Sequence, residues 1–320
     1  MDTQIDRRIS NDYVLDGGGE RLGDAELSVH LKDKIRERIK RDGIILLRNI
    51  GVQEPGQFKR LLDSIGARSM DYLYRSTPRT AVFPGVHTST EYPPQLEIPL
   101  HCENSYQLRW PTLIAFCCLK VASGGRTTVS DMSTVTNSIG PELMEEISRR
   151  KIRYVRNYHP RMDLSWQEVF QTSDKLNLEE YCRSSSIDFK WLDRGVLRTE
   201  QVCQGAIPHP LTGKMVHFNQ AHLFHPTSLG DDYYEDMVTL FGRDHLPRMA
   251  YFGDGGEIPD ASLTTIRQAF QTNAQEIDWA PGVVAFIDNR RFAHGRRPYV
   301  GERRVLAALL NASDGADTLD

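Results

Sequence analysis

GVVAFIDNRRFAHGRRPYVGERRVLAALL, residues 282–310, holds two apolar runs around a polar turn. GVVAFIDN (282–289) and RRVLAALL (303–310) are short, rich in branched residues and bounded by Gly and charge, which reads as two buried strands. The segment between them reads as a loop, with His294 supplied near a strand end. Arg303 and Arg304 stand at the head of the second strand. An arginine there can fork onto a carboxylate in a bidentate pair. Strand neighbours face opposite ways, so only one of the two can serve a given ligand.

The second informative stretch lies far upstream: LEIPLHCENSYQLRWP, residues 96–111. In an extended strand, residues two apart share a face. His101 and Glu103 could then meet one ion while Cys102 turns away. The tripeptide alone is weak, since a His hydrogen-bonded inside a core explains it as well. Joined by His294, it becomes two imidazoles and one carboxylate. That set leaves three positions open on the metal and suits ferrous iron in oxygen-activating enzymes. Such chemistry needs a small keto acid or dicarboxylate beside the ion.

The remaining chain supplies a sheet for these residues. Helices are expected over 25–41, 54–65, 133–150, 174–186, 233–243 and 260–276. Strands are expected at 43–50, 110–122, within 124–132, at 152–159, near 188–192 and 197–203, and after the turn at 209–213. Residues 66–100 are Pro-rich and loop-like, as befits a functional lid. With no repeat or linker, the economical division is an irregular N-terminal arm, 1–24, and one domain, 25–320.

Bulk composition narrows the partners. The chain has 320 residues and a net charge of −4, with no basic block that would suit nucleic acid or an anionic membrane. No apolar run is long enough to cross a bilayer, and the N-terminus lacks the apolar stretch of a secretory signal. Five cysteines at 102, 117, 118, 182 and 203 show no framework spacing, so a reduced, cytoplasmic protein is expected.

Six blocks occur in order: HCENSY (101–106), GGRTTVSD (124–131), HPLTG (209–213), FNQAHLFH (218–225), FGDGGEI (252–258) and AFIDNRRFAHGRRPYVGERR (285–304). In these blocks the sequence resembles the TauD/TfdA-like Fe(II)/2-oxoglutarate dioxygenases of the clavaminate synthase-like superfamily, most closely the SyrP-like branch. The resemblance runs from about Ile44 to Leu310. It implies an α+β protein with a double-stranded β-helix (jelly roll) core, flanking helices and loop insertions. It also implies that His101, Glu103 and His294 are the iron ligands, and that Thr127 and one of Arg303 and Arg304 hold 2-oxoglutarate. The cofactors would be Fe(II), 2-oxoglutarate and O2. A retained Glu103 speaks against the halogenating relatives, which lack the carboxylate.

The substrate implied is a small amino-acid-like molecule, free or tethered to a carrier protein, hydroxylated at an unactivated C–H in natural-product biosynthesis. Candidate substrate contacts are Asn104, Ser105 and Tyr106 after the ligands, Asn219 and His222 in FNQAH, and Arg75, Thr88 and Glu91 in the Pro-rich loop. Each could equally brace its own loop. Other outcomes remain open: desaturation or cyclisation at the same iron, or a binding protein that has lost catalysis. A cysteine hydrolase ranks last, because no nucleophile signature surrounds Cys102 or Cys118.

Overall fold

The computed structural model describes residues 7–20, 27–71, 73–159 and 163–314. A seven-stranded sheet runs in the order Val14–Asp16, Ile44–Arg48, Val284–Asp288, Pro111–Lys120, Arg304–Ala312, Val86–Thr88, Ala81–Phe83. A four-stranded sheet runs Gln275–Ile277, Thr127–Asp131, Phe292–Arg296, Ile98–His101. Every neighbouring pair in both is antiparallel except the edge pair Val14–Asp16 with Ile44–Arg48.

Strand alternation sorts the central residues into two cores. Ile114, Phe116, Ala285, Ile287, Val305 and Ala307 cluster with Val129, Ile277 and Phe292 of the smaller sheet. Their chain neighbours Leu113, Ala115, Val284, Phe286, Leu306 and Ala308 pack instead with the helices Val29–Asp42 and Pro55–Ser64. The adjacent Cys117 and Cys118 part in the same way, one to each core. Two antiparallel sheets closing on a shared interior form the jelly roll.

Residues 132–274 fold over the other face of the smaller sheet. They bring helices and a second four-stranded sheet, Asp188–Trp191, Leu197–Cys203, Ile152–Tyr158, Arg248–Phe252. Leu100, Cys102 and Ala293 join the core of this insertion. The strands on either side of the candidate ligands are therefore clamped between two cores.

Several expectations need correction. The helix expected over 133–150 is two, Met132–Ile139 and Pro141–Arg150. Gly140 at φ 90° ends the first, and a proline ring can start a helix but not continue one. The helix expected to reach residue 276 stops at Thr272, and Gln275–Ile277 is a strand. The loop expected around His294 contains the strand Phe292–Arg296. The Pro-rich 66–100 stretch contains a small hairpin, Ala81–Phe83 with Val86–Thr88. In the expected irregular arm, Val14–Asp16 is an edge strand, whereas 1–6 and 21–24 lie outside the described residues. The first helix begins at Val29, capped by Ser28, and closes on Gly43 at φ 75°.

Gly295 lies next to His294 for a steric reason. A Cβ there would sit 2.5 Å from the Ile98 carbonyl oxygen and 2.6 Å from Thr128 Oγ1. Only glycine lets the Ile98–His101 and Phe292–Arg296 strands approach this closely.

Candidate metal centre

His101 and His294 are register partners across two antiparallel strands. Their ring centroids lie 4.6 Å apart. Glu103 follows in a turn, with Oε2 3.4 Å from His294 Nε2 and 3.9 Å from His101 Nε2. One ligand atom from each of the three lies within 4.8 Å of the others.

The tautomer of His101 is set by its neighbour. Its Nδ1 stands 2.8 Å from the Pro99 carbonyl, which can only accept, so Nδ1 carries the proton. Nε2 is left with its lone pair facing Glu103. Burial, then the His294 imidazole, hold the His101 pKa down at about 4, so the ring is a neutral donor at physiological pH. For Glu103, burial would raise the pKa. The Arg79 guanidinium and the two imidazoles outweigh burial and hold the carboxyl below its usual range. Two imidazole nitrogens and an ionised oxygen converging on one point fit a ferrous ion.

Strand alternation is not what aims Glu103. The strand ends at His101, and Asn104 bends the chain at φ 55°. The turn is pinned by Asn289, whose Oδ1 accepts from Glu103 N at 2.7 Å. Its Nδ2 donates to the carbonyls of Glu103 and Pro111, both at 2.9 Å. Asn289→Ala is expected to weaken metal affinity by about 10- to 100-fold, the usual effect of losing a partner that orients a ligand. A calorimetric Mn(II) titration of the metal-free protein measures it, and an unchanged affinity would remove Asn289 from the site.

The carboxylate itself is held by Arg79, whose Nη2 donates to Glu103 Oε2 at 2.8 Å. The two side chains are only 3% and 5% exposed. Neither Arg79 nor Asn289 is among the residues expected from sequence. Asn289 had a signal, a polar residue closing an apolar strand; Arg79, in RSTPRT, had none.

The pocket over the ligands is lined by Arg79, Ser89, Thr90, Ile98, Phe116, Thr127, Gly295, Arg296, Arg303 and Val305. Thr127 Oγ1 accepts from Trp279 Nε1 at 2.9 Å. An indole N–H can only donate, so the Thr127 hydroxyl proton remains for another acceptor. Arg303 Nε donates to the Gly125 carbonyl at 3.0 Å. Burial, then Arg296, lower its pKa to about 10. No carboxylate pairs with Arg303 among the described residues. Arg303 also lines a larger cavity of about 290 Å³ with Gly124, Gly125 and Trp279. Arg304 is exposed.

The other candidate contacts have internal partners, and none lines the pocket. Arg75 donates to the carbonyls of Glu168 and Arg79. Thr88 donates to Glu91 at 2.8 Å and accepts from Thr80 N, closing the hairpin. Ser105 Oγ donates to the Cys102 carbonyl and Tyr106 to the Tyr74 carbonyl. Tyr106 Oη also lies 3.4 Å from Asn104 Oδ1. Asn219 Nδ2 donates to the Gly205 carbonyl. His222 Nε2 donates to the Leu100 carbonyl at 3.1 Å and stacks on Phe270, steadying the strand that carries His101. All five cysteines are buried and free, and burial pushes the Cys102 thiol up, away from nucleophilic use.

His217 and His222 give a pH signature independent of metal. Burial lowers their pKa values, to about 3 for His217 and well below 6.5 for His222. Below about pH 6.5 the unfolded chain takes up protons that the folded one refuses. Stability is therefore expected to fall with pH from about 6.5 downward, by about 2 kcal/mol at pH 5 from His217 and further in the same direction from His222. Urea midpoints at pH 7 and pH 5 test this, and a midpoint that rises on acidification would contradict it.

Among the described residues, no helix is long and apolar enough to cross a membrane. The family of taurine catabolism dioxygenase TauD, TfdA, matches residues 17–310. The chain is 39% identical to the dapdiamide synthesis protein DdaC of Enterobacter agglomerans over 278 residues, covering 87% of this chain and 84% of that one. It is 26% identical to a clavaminate synthase-like protein of Arabidopsis thaliana over 282 residues, covering 83% and 81%. In fold it is similar to a taurine dioxygenase from Burkholderia xenovorans, at TM-score 0.53 and 16% identity over 98% of this chain and 93% of that one. Two imidazoles, a carboxylate and this kinship lead to one conclusion: the chain belongs to the TauD/TfdA family and is an Fe(II)/2-oxoglutarate-dependent oxygenase.

Proposed function

We propose that the protein hydroxylates an unactivated C–H bond of a small amino-acid-like substrate, free or on a carrier protein, in natural-product biosynthesis. In the balanced reaction, 2-oxoglutarate, O2 and the C–H compound give succinate, CO2 and the alcohol. The observation that carries this reading is the intact triad with Glu103 held by Arg79 at 2.8 Å. The kinship to a dapdiamide synthesis protein and the SyrP-like sequence blocks support the substrate class.

When bound, ferrous iron supplies oxygen activation and hydrogen abstraction. The chain's residues position the reactants. His101, Glu103 and His294 would hold the metal beside the pocket that His101 and His294 line. Arg303 pairs with the distal carboxylate of 2-oxoglutarate, because it is the pocket-lining arginine of the two and Arg304 is exposed. Thr127 adds the hydroxyl proton that Trp279 leaves it. Arg304 stays in solvent.

The test is product analysis with Fe(II), ascorbate, 2-oxoglutarate and labelled O2, across amino acids and carrier-bound aminoacyl thioesters. One oxygen atom from O2 in the product, matched by succinate, is expected. A product that has lost two hydrogens and gained no oxygen would replace hydroxylation by desaturation.

A further inference from the structure

We infer that Arg79 determines substrate choice by pairing with a carboxylate on the molecule to be oxidised, an inference that rests on the oxygenase reading above. Arg79 comes from the Pro-rich loop, lines the metal pocket, and is almost fully buried. Its loop is tied down nearby, since Arg75 donates to the Arg79 carbonyl at 3.2 Å and to the Glu168 carbonyl at 2.9 Å. The guanidinium is thus set beside the ligands rather than swinging in solvent.

Charge then decides what it faces. Three guanidiniums line the pocket, those of Arg79, Arg296 and Arg303, no acid is among its lining residues, and Glu103 stands beside it against Arg79. A ferrous ion and the two carboxylates of 2-oxoglutarate cancel each other. Glu103 alone is left against three arginines, and the loaded pocket stays cationic. Arg303 serves the cosubstrate. Arg296 is turned to the carbonyls of Tyr92, Pro93 and Leu96. Arg79 remains, bonded to Glu103 Oε2, the same oxygen that lies nearest both imidazoles. A metal held by Glu103 would stand beside the guanidinium bonded to the same carboxylate, and two cations against one buried carboxylate repel strongly. A substrate carboxylate against the Arg79 fork relieves this, and a neutral group does not.

The test uses the full chain loaded with Mn(II) and N-oxalylglycine, an inert analogue of the cosubstrate. Calorimetric titrations compare amino and dicarboxylic acids, their primary amides, and pantetheine thioesters with and without a side-chain carboxylate. Wild type is expected to bind the carboxylate member of its best matched pair about tenfold or more tightly than the neutral one. R79Q, saturated with Mn(II) at whatever excess its own weaker metal affinity requires, should bring the two within about twofold, and R79K should restore part of the difference. Binding of the free acid or of the acidic thioester supports the proposal equally and tells the two sources apart. Neutral members binding as well as acids, no acid binding at all, or a preference that survives R79Q would overturn it. Failure to take up Mn(II) and N-oxalylglycine would instead take down the oxygenase reading beneath it.

Discussion

Glu103→Ala is expected to abolish iron binding and to cost the fold about 3–5 kcal/mol, the penalty for breaking a buried ion pair from one side. The metal effect follows from geometry, since Oε2 is the single carboxylate oxygen among the three converging donors. The stability effect follows from Arg79, whose guanidinium would be left beside an empty space with its side chain 3% exposed. Glu103→Gln separates the two effects. It keeps the shape and a hydrogen-bonding oxygen, so it should recover part of the stability while still losing most of the metal. Chemical denaturation of the metal-free variants measures the first effect and metal titration the second. If Glu103→Ala were as stable as wild type, the Arg79 pair would be far more solvated than its burial implies.

Arg303→Ala is expected to raise KM for 2-oxoglutarate on the order of 100-fold, as loss of one partner of a buried charge pair does. Arg304→Ala should change it by no more than about twofold, because a surface charge is well screened. Parity explains the difference between neighbours. Val305 and Ala307 belong to the interior core and Leu306 and Ala308 to the helix-facing one. Arg303 continues the interior series and Arg304 does not. Initial-rate kinetics of succinate formation against 2-oxoglutarate concentration compare the variants, and the reverse order of effects would move the contact to Arg304.

The ligand residues were legible in the sequence because their chemistry is rare in combination: an imidazole and a carboxylate two apart, and a second imidazole beside an arginine pair. The jelly roll was legible from short buried runs. The mechanics of the site were less so. Cross-strand register puts His101 and His294 on one face, but Glu103 is aimed by a turn. That turn depends on Asn289, distant in sequence, and no local pattern announces such a brace. Arg79 escaped for a related reason. An arginine in a Pro-rich loop looks solvated until tertiary packing buries it against a carboxylate. Of the eight candidate substrate contacts, Asn104, Ser105 and Tyr106 follow the ligands, Asn219 and His222 lie in a polar stretch after a strand, and Arg75, Thr88 and Glu91 lie in the Pro-rich loop. Packing gave them neighbours of their own, as it did to His222 beneath the His101 strand.

His101, Glu103 and His294 together are expected to hold one ferrous ion for 2-oxoglutarate chemistry. The most direct test is an anaerobic titration of the metal-free protein with Fe(II) in the presence of 2-oxoglutarate, following the visible absorption that arises when the keto acid chelates the metal. One equivalent of Fe(II) should saturate the band in wild type. His101→Ala, Glu103→Ala and His294→Ala should each remove it. A band that persists in these variants, or fails to form in wild type, would contradict the assignment.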